Sequence, residues 1–142
     1  MDSAEAEVTA LLERQAEAIH RKDIERLMTL FAPDVVYYDL GPPLQNLGAA
    51  VLRGRFEAMF DRFRGAIGQE MHDLHIVANG DVAVAARLIR ASGALQHGQE
   101  VSYWVRATSG CRRTNEGWVI VHEHISLPVD MASGRMLLDL AP

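Results

Sequence analysis

The run Gly117-Trp118-Val119-Ile120-Val121-His122-Glu123-His124-Ile125-Ser126-Leu127-Pro128 limits the possible folds more than any other stretch. It is β-branched and aromatic, opened by the turn Thr114-Asn115-Glu116-Gly117 and stopped by Pro128, which predicts one long strand. Strand side chains alternate, so Trp118, Ile120, His122, His124 and Ser126 are expected on one face and Val119, Val121, Glu123 and Ile125 on the other. Consecutive titratable residues inside an apolar strand are costly to bury without partners. The strand therefore has a wet face or lines a polar cavity.

The segments before it set the fold class. Ser3 can cap a first helix running to about His20, with Val8, Leu11, Leu12, Gln15 and Ile19 on one face. Gln15 is the polar exception on that stripe. Asp23 can cap a short second helix with face Ile24, Leu27, Met28 and Phe31, ended by Pro33. Val35 to Asp39 reads as a strand closed by Gly41-Pro42-Pro43. A third helix starts at Asn46 to Gly48, with face Leu52, Phe56, Met59, Phe60 and Phe63. Strands then follow over Glu70 to Val77, Val82 to Ala94 and Gln99 to Arg112, punctuated by Asn79-Gly80-Asp81 and Gln96-His97-Gly98. Helices followed by a long meander give an α+β chain with helices on one face of the sheet. Strands longer than about ten residues coil strongly. The expected architecture is a cone-shaped barrel: a strongly curved, mainly antiparallel sheet wrapped around three N-terminal helices, with a hollow between. Residues 1–142 are expected to form one domain, 129–142 being a tail whose Met136-Leu137-Leu138 cluster packs on something.

The bulk numbers exclude several roles. A length of 142 residues suits a single core, and a formal charge of −5 argues against nucleic acid or an anionic membrane as partner. No apolar run approaches the roughly 20 residues of a membrane helix. The single cysteine, Cys111, cannot form an internal disulfide, and Met1 to Glu5 lacks the pattern of a secretion signal. A cytoplasmic location is expected.

Several motifs together resemble the SnoaL-like, ketosteroid-isomerase-like members of the nuclear transport factor 2 superfamily. They are Lys22-Asp23-Ile24, Leu30-Phe31-Ala32-Pro33-Asp34, Tyr38-Asp39-Leu40, Gly48, Asn79-Gly80-Asp81 and Gly117-Trp118 through Ser126. The resemblance covers about residues 4 to 128. It implies a catalytic aspartate at Asp39, near the end of the first strand. Where ketosteroid isomerases have an oxyanion-hole tyrosine on the first helix, this chain has Gln15. Where they have a protonated aspartate, it has about Tyr103. The strand ending is also similar to the association domain of calcium/calmodulin-dependent kinases. That domain has a pocket arginine where Ile125 stands here, and Arg90 matches another of its pocket arginines.

Each candidate residue has a functional and a structural reading. Asp39 at a strand end facing an apolar cone is a general base with a pKa raised by desolvation, or it caps a loop. Gln15 points to a cavity, or makes one buried backbone hydrogen bond. Tyr37 shares a face with Asp39, and Tyr38 does not. Ser102, Trp104, Arg106 and Thr108 share one face of their strand, with Tyr103 and Val105 on the other; a bulge would switch this parity. Trp104 beside Arg106 is a pocket wall for an anionic or carbonyl group, or a surface ladder at a dimer interface. His122 and His124 are a pocket pair relaying protons with Asp39, a metal-binding pair, or structural residues. No metal is expected, because no third ligand is placed beside them and His72 and His75 are expected on opposite faces. Glu123 is a pocket carboxylate or exposed, depending on which face turns inward. Cys111, beside Arg112 and Arg113, is incidental. Phosphate loops, nucleophile elbows and cofactor motifs are absent, so no cofactor is expected. Two functions remain: a cofactor-independent acid–base enzyme for a small, largely apolar metabolite, with Asp39 and His124 or Tyr103 as the acid–base groups and Arg106 as anion anchor, or a non-catalytic binding or association module. A homodimer is expected, because one sheet face is left uncovered.

Overall fold

Periodic apolar faces and turn residues divide the chain much as the sequence suggests. The computed structural model describes residues 3–142. The elements are α1 (Ser3–His20), α2 (Ile24–Met28), β1 (Phe31–Tyr38), β2 (Asn46–Leu47), α3 (Ala49–Arg62), β3 (Phe63–Asn79), β4 (Val82–Leu95), β5 (Glu100–Thr114) and β6 (Gly117–Ser126). They form one curved sheet in the order β2-β1-β6-β5-β4-β3. The β1–β6 pair is parallel and all other pairs are antiparallel. This is the expected α+β architecture.

The helix boundaries show which local signals decide. The Asp23 side chain accepts the Arg26 amide at 3.1 Å, capping α2 as expected. The cap position of α1 lies outside the described residues, because Ser3 is already helical. Pro33 does not end α2. That helix stops at Met28, and Phe31 and Pro33 lie in β1. Proline is tolerated there because the β1–β6 register slips between Phe31 and Val36, where no ladder amide is needed. Asn46 and Leu47 do not begin α3. They pair with Tyr37 and Val36 as a short strand, and Gly48 turns the chain into the helix at φ +90°. Between β3 and β4 the Asn79–Val82 pair closes a two-residue turn, and Gly80 supplies its positive φ.

Burial fixes how helices meet sheet. α1 buries Val8, Leu11, Leu12, Ala18 and Ile19, and α3 buries Leu52, Phe56 and Phe60. Phe31, Tyr37, Phe56 and Phe60 stack with ring centroids 5.8–6.4 Å apart, joining α3 to β1. In β4 the inward residues Ala83 and Ala85 are small, which lets α1 approach the sheet closely. The tail folds back through a Val129–Met136 bridge. Of its apolar cluster only Leu137 is half-buried; Met136 and Leu138 stay exposed, so the expected packing is found only in part.

Two bulges re-aim side chains. In β6 Ile120 pairs with Cys111 but His122 pairs with Gly110, so Val121 is one residue too many. In β3 His72 pairs with Leu88 and His75 with Ala86, leaving Asp73 and Leu74 opposite Arg87 alone. Asp73 takes a positive φ of 54° to do this. His72 and His75 therefore share the outer face, contrary to the alternation expected from sequence.

Trp118 lies in the core at 6% exposure. Its indole Nε1 donates to Glu7 Oε2 at 2.6 Å, and the Arg113 guanidinium lies 5.0 Å over its ring. Trp118→Ala should cost about 3–5 kcal/mol, a melting shift on the order of 10 °C. A shift of only a degree or two in a thermal melt would contradict this burial.

Candidate functional site

A cavity of about 500 Å³ opens between the helices and the inner sheet face. Its walls are apolar: Leu12 and Ile19 from α1, Phe56 and Met59 from α3, Met71 from β3, Ile89 and Ala91 from β4, Val105 from β5 and Ile125 from β6. Five charged residues line it: Asp39, Arg55, Arg62, Arg87 and Glu123.

Two of these form the floor. Arg87 projects inward from β4 between Ala85 and Ile89, and Glu123 from β6. Their side chains are 1% and 3% exposed, and Arg87 Nη2 lies 3.1 Å from Glu123 Oε1. Neighbouring side chains supply several partners to both members of the pair. Gln15 Nε2 donates to Glu123 Oε2 at 2.8 Å, and its Oε1 accepts from Arg87 Nη2 at 3.0 Å. Ser109 Oγ donates to Glu123 Oε1 at 2.5 Å and accepts from Arg87 Nη1 at 2.9 Å. The buried Tyr37 hydroxyl is pushed well above its usual range, first by burial and then by the Glu123 charge, so it remains a donor.

The mouth is different. Asp39 follows β1, is half-buried, and accepts the Leu40 amide on Oδ1 at 2.7 Å. It is therefore not the fully desolvated carboxylate expected from the sequence. Tyr103, from β5, has its pKa raised by burial, opposed by the Arg62 charge and reinforced by that of Asp39. The three groups share one end of the cavity. Arg55 donates to the Pro42 carbonyl at 2.6 Å, tying α3 to the loop after β1. Among the described residues, Asp39, Arg55 and Arg62 have no ion-pair partner.

Of the residues expected at the site, Asp39, Gln15, Tyr37 and Tyr103 meet in this cavity. His122, His124, Arg90, Trp104 and Arg106 do not. The Val121 bulge exchanges faces, so Glu123 and Ile125 point inward while His122 and His124 turn outward. There Tyr38 lies edge-on to both rings, at 4.9 and 5.3 Å, and His122 Nδ1 is 2.7 Å from the Val36 carbonyl. Arg90 pairs with Glu70 at 3.1 Å, Trp104 packs edge-on against His72, and Arg106 donates to Ser126 at 3.1 Å. All lie on the outer face, because outward and inward residues alternate along β4 and β5. Among the described residues, no group of three or more His, Cys, Asp or Glu is placed to hold a metal ion. Burial pushes the Cys111 thiol up to about 12, with Glu123 adding and Arg87 opposing. Its chain neighbours Arg112 and Arg113 are exposed, so they do not activate it.

Sequence reasoning missed Arg87, Ser109, Arg55 and Arg62. Arg87 carried a signal: it falls in step with Ala83, Ala85, Ile89 and Ala91, and an arginine on such a face needs a buried anion. Arg55, Met59 and Arg62 likewise follow helical spacing beside the Leu52-Phe56-Phe60 stripe.

The sheet curved over helices with a hollow between them defines a cone-shaped fold of the nuclear transport factor 2-like kind. Over residues 8–130 the chain matches the SnoaL-like domain, and it belongs to that family. It is similar to a nuclear transport factor 2-like protein of unknown function from Pseudomonas putida, at 32% identity and TM-score 0.89, over 99% of this chain and 97% of that one. A candidate dehydratase of the same superfamily from Streptomyces avermitilis shares the fold at 22% identity and TM-score 0.83, over 92% and 100% of the two chains. A candidate aromatic ring hydroxylase from Novosphingobium aromaticivorans does so at 21% and 0.79, over 89% and 91%. No curated protein matches the chain. Among the described residues, no helix is long and apolar enough to cross a membrane.

Breaking the floor pair should be costly, although the pair as a whole adds little net stability. Glu123→Gln leaves Arg87 buried without its counter-charge and should cost about 3–5 kcal/mol in urea unfolding. Replacing both partners with apolar residues of similar volume should recover most of that loss. A Glu123→Gln midpoint equal to wild type would show that water reaches the pair.

Proposed function

We propose that this cavity is the active site of a cofactor-independent acid–base enzyme acting on a small, largely apolar metabolite, by isomerase, cyclase, dehydratase or hydrolase chemistry. One observation carries the reading: an unpaired carboxylate, Asp39, and a hydroxyl kept protonated, Tyr103, share one end of an apolar cavity. Asp39 takes a proton from carbon or oxygen, and Tyr103 returns one or polarises a carbonyl. The groups named for this role are Asp39 and Tyr103; His124, on the outer face, is left out. Dehydration, the activity in the name of the Streptomyces relative, is one reaction such a pair can run.

The alternative is a non-catalytic binding module. The half-exposure of Asp39 and its bond to the Leu40 amide favour that reading. Proton–deuterium exchange next to the carbonyl, followed by NMR over a panel of small aromatic and alicyclic ketones, separates the two. An enzyme should catalyse exchange in at least one of them. Asp39→Asn should lower that rate by about 10²-fold or more while leaving affinity and folding intact. His124→Ala should leave the rate unchanged. Binding without exchange would reject the acid–base reading.

The protein is further read as a homodimer working in the reducing interior of the cell. The buried, unpaired Cys111 supports the location. Val77, Val82 and Val84 are exposed on the outer sheet face, and Trp104 is only half-buried there. Association over this face would cover them. Light scattering at micromolar concentration should give twice the chain mass of 15.7 kDa. A single chain mass would reject the dimer.

A further inference from the structure

The charges around the cavity do not balance. Arg87 and Glu123 cancel each other on the floor. At the mouth the single carboxylate of Asp39 stands with Arg55 and Arg62, an excess of one positive charge in a chain whose formal charge is −5. Arg55 already serves the Pro42 carbonyl. Arg62 is exposed at the rim and has no side-chain hydrogen bond or ion pair among the described residues, yet it lines the cavity and its charge is felt at Tyr103. A free guanidinium beside apolar walls is a ready partner for a carboxylate or similar anion.

We propose that Arg62 anchors an anionic group, so that the cavity takes a largely apolar molecule bearing one carboxylate or comparable anion. The apolar body lies against Ile19, Met59, Ile89 and Val105, and the anion sits at the last turn of α3. This rests on the cavity being a small-molecule site and adds the class of molecule. It also gives Arg62 the role that the sequence suggests for Arg106.

Two fluorescent probes of the same shape test it: anilinonaphthalene sulfonate, which is anionic, and phenylnaphthylamine, which is neutral. The wild type should bind the sulfonate more tightly, and added salt should narrow the difference. Arg62→Met should weaken the sulfonate about tenfold or more while changing the neutral probe by less than about twofold. Arg62→Lys should fall between, and Arg106→Met should match wild type. A sulfonate affinity unchanged by Arg62→Met would overturn the proposal. So would an equal loss for both probes, which would make Arg62 a support of the cavity wall. Binding of neither probe to wild type would reject both the proposal and the cavity as an apolar ligand site. Neutral binding with no sulfonate preference would reject the proposal alone.

Discussion

Removing an arginine and a glutamate from water costs several kcal/mol per ion unless each open hydrogen-bonding position is filled. Arg87 and Glu123 gain their partners only because four elements arrive in one register. α1 must turn Gln15 inward, β4 must present Arg87, β5 must present Ser109 and β6 must present Glu123. A slip of one residue in any strand would send its contribution to the other face and leave a bare charge in the interior. The pair thus selects the arrangement of the sheet more than it stabilises it. It also divides the interior. Towards one end lie Val8, Leu11, Cys111, Trp118 and Ile120, packed and dry; towards the other lies the hollow.

The division explains which parts of the molecule can be read from the chain. Apolar periodicity and turn residues are local, so the three helices as elements, the strands β4 to β6, the second half of β3 and the turn at Gly80-Asp81 are legible. The first half of β3 is not, and Phe63, expected on the third helix, opens that strand. Gln15 is legible, because a lone amide on an apolar helical stripe needs a partner. Glu123 is legible as a choice between two faces, but the choice itself is not. It depends on Val121, which looks like any other β-branched residue in a strand. The bulge exists because Trp118 and Ile120 must face the packed end while Glu123 must meet Arg87, and strict alternation cannot do both. That conflict is tertiary and leaves no local mark.

The same bulge decides the fate of the histidines. Alternation placed His122 and His124 with Trp118, and Trp118 is indeed inside. One extra residue sends both rings outward to Tyr38 and the Val36 carbonyl. In β3 the Asp73 bulge acts similarly, bringing His72 and His75 to one face. Long curved strands need such irregularities to close over helices, so the side chains most exposed to this error lie far along them. Asp39 escapes it because the slip in β1 lies before Val36, and the regular pairing from Val36 to Tyr38 runs directly to the cavity mouth.

Under the proposed function, the chemistry of Asp39 would depend on what fills the cavity. Its carboxylate is half-exposed, and one oxygen is held by the Leu40 amide. That bond orients the group. The other oxygen has no hydrogen-bond partner among the described residues. Under the proposed function, an apolar molecule seated on Phe56, Met59 and Ile89 would shield this second oxygen from solvent, and loss of solvation favours proton uptake by a carboxylate in general. A fixed cation alone would work against that by stabilising the ionised form. An anion bound at Arg62 as proposed would neutralise that cation. Under the proposed function, anion binding at Arg62 and proton abstraction at Asp39 would then be coupled, because one molecule has to serve both groups.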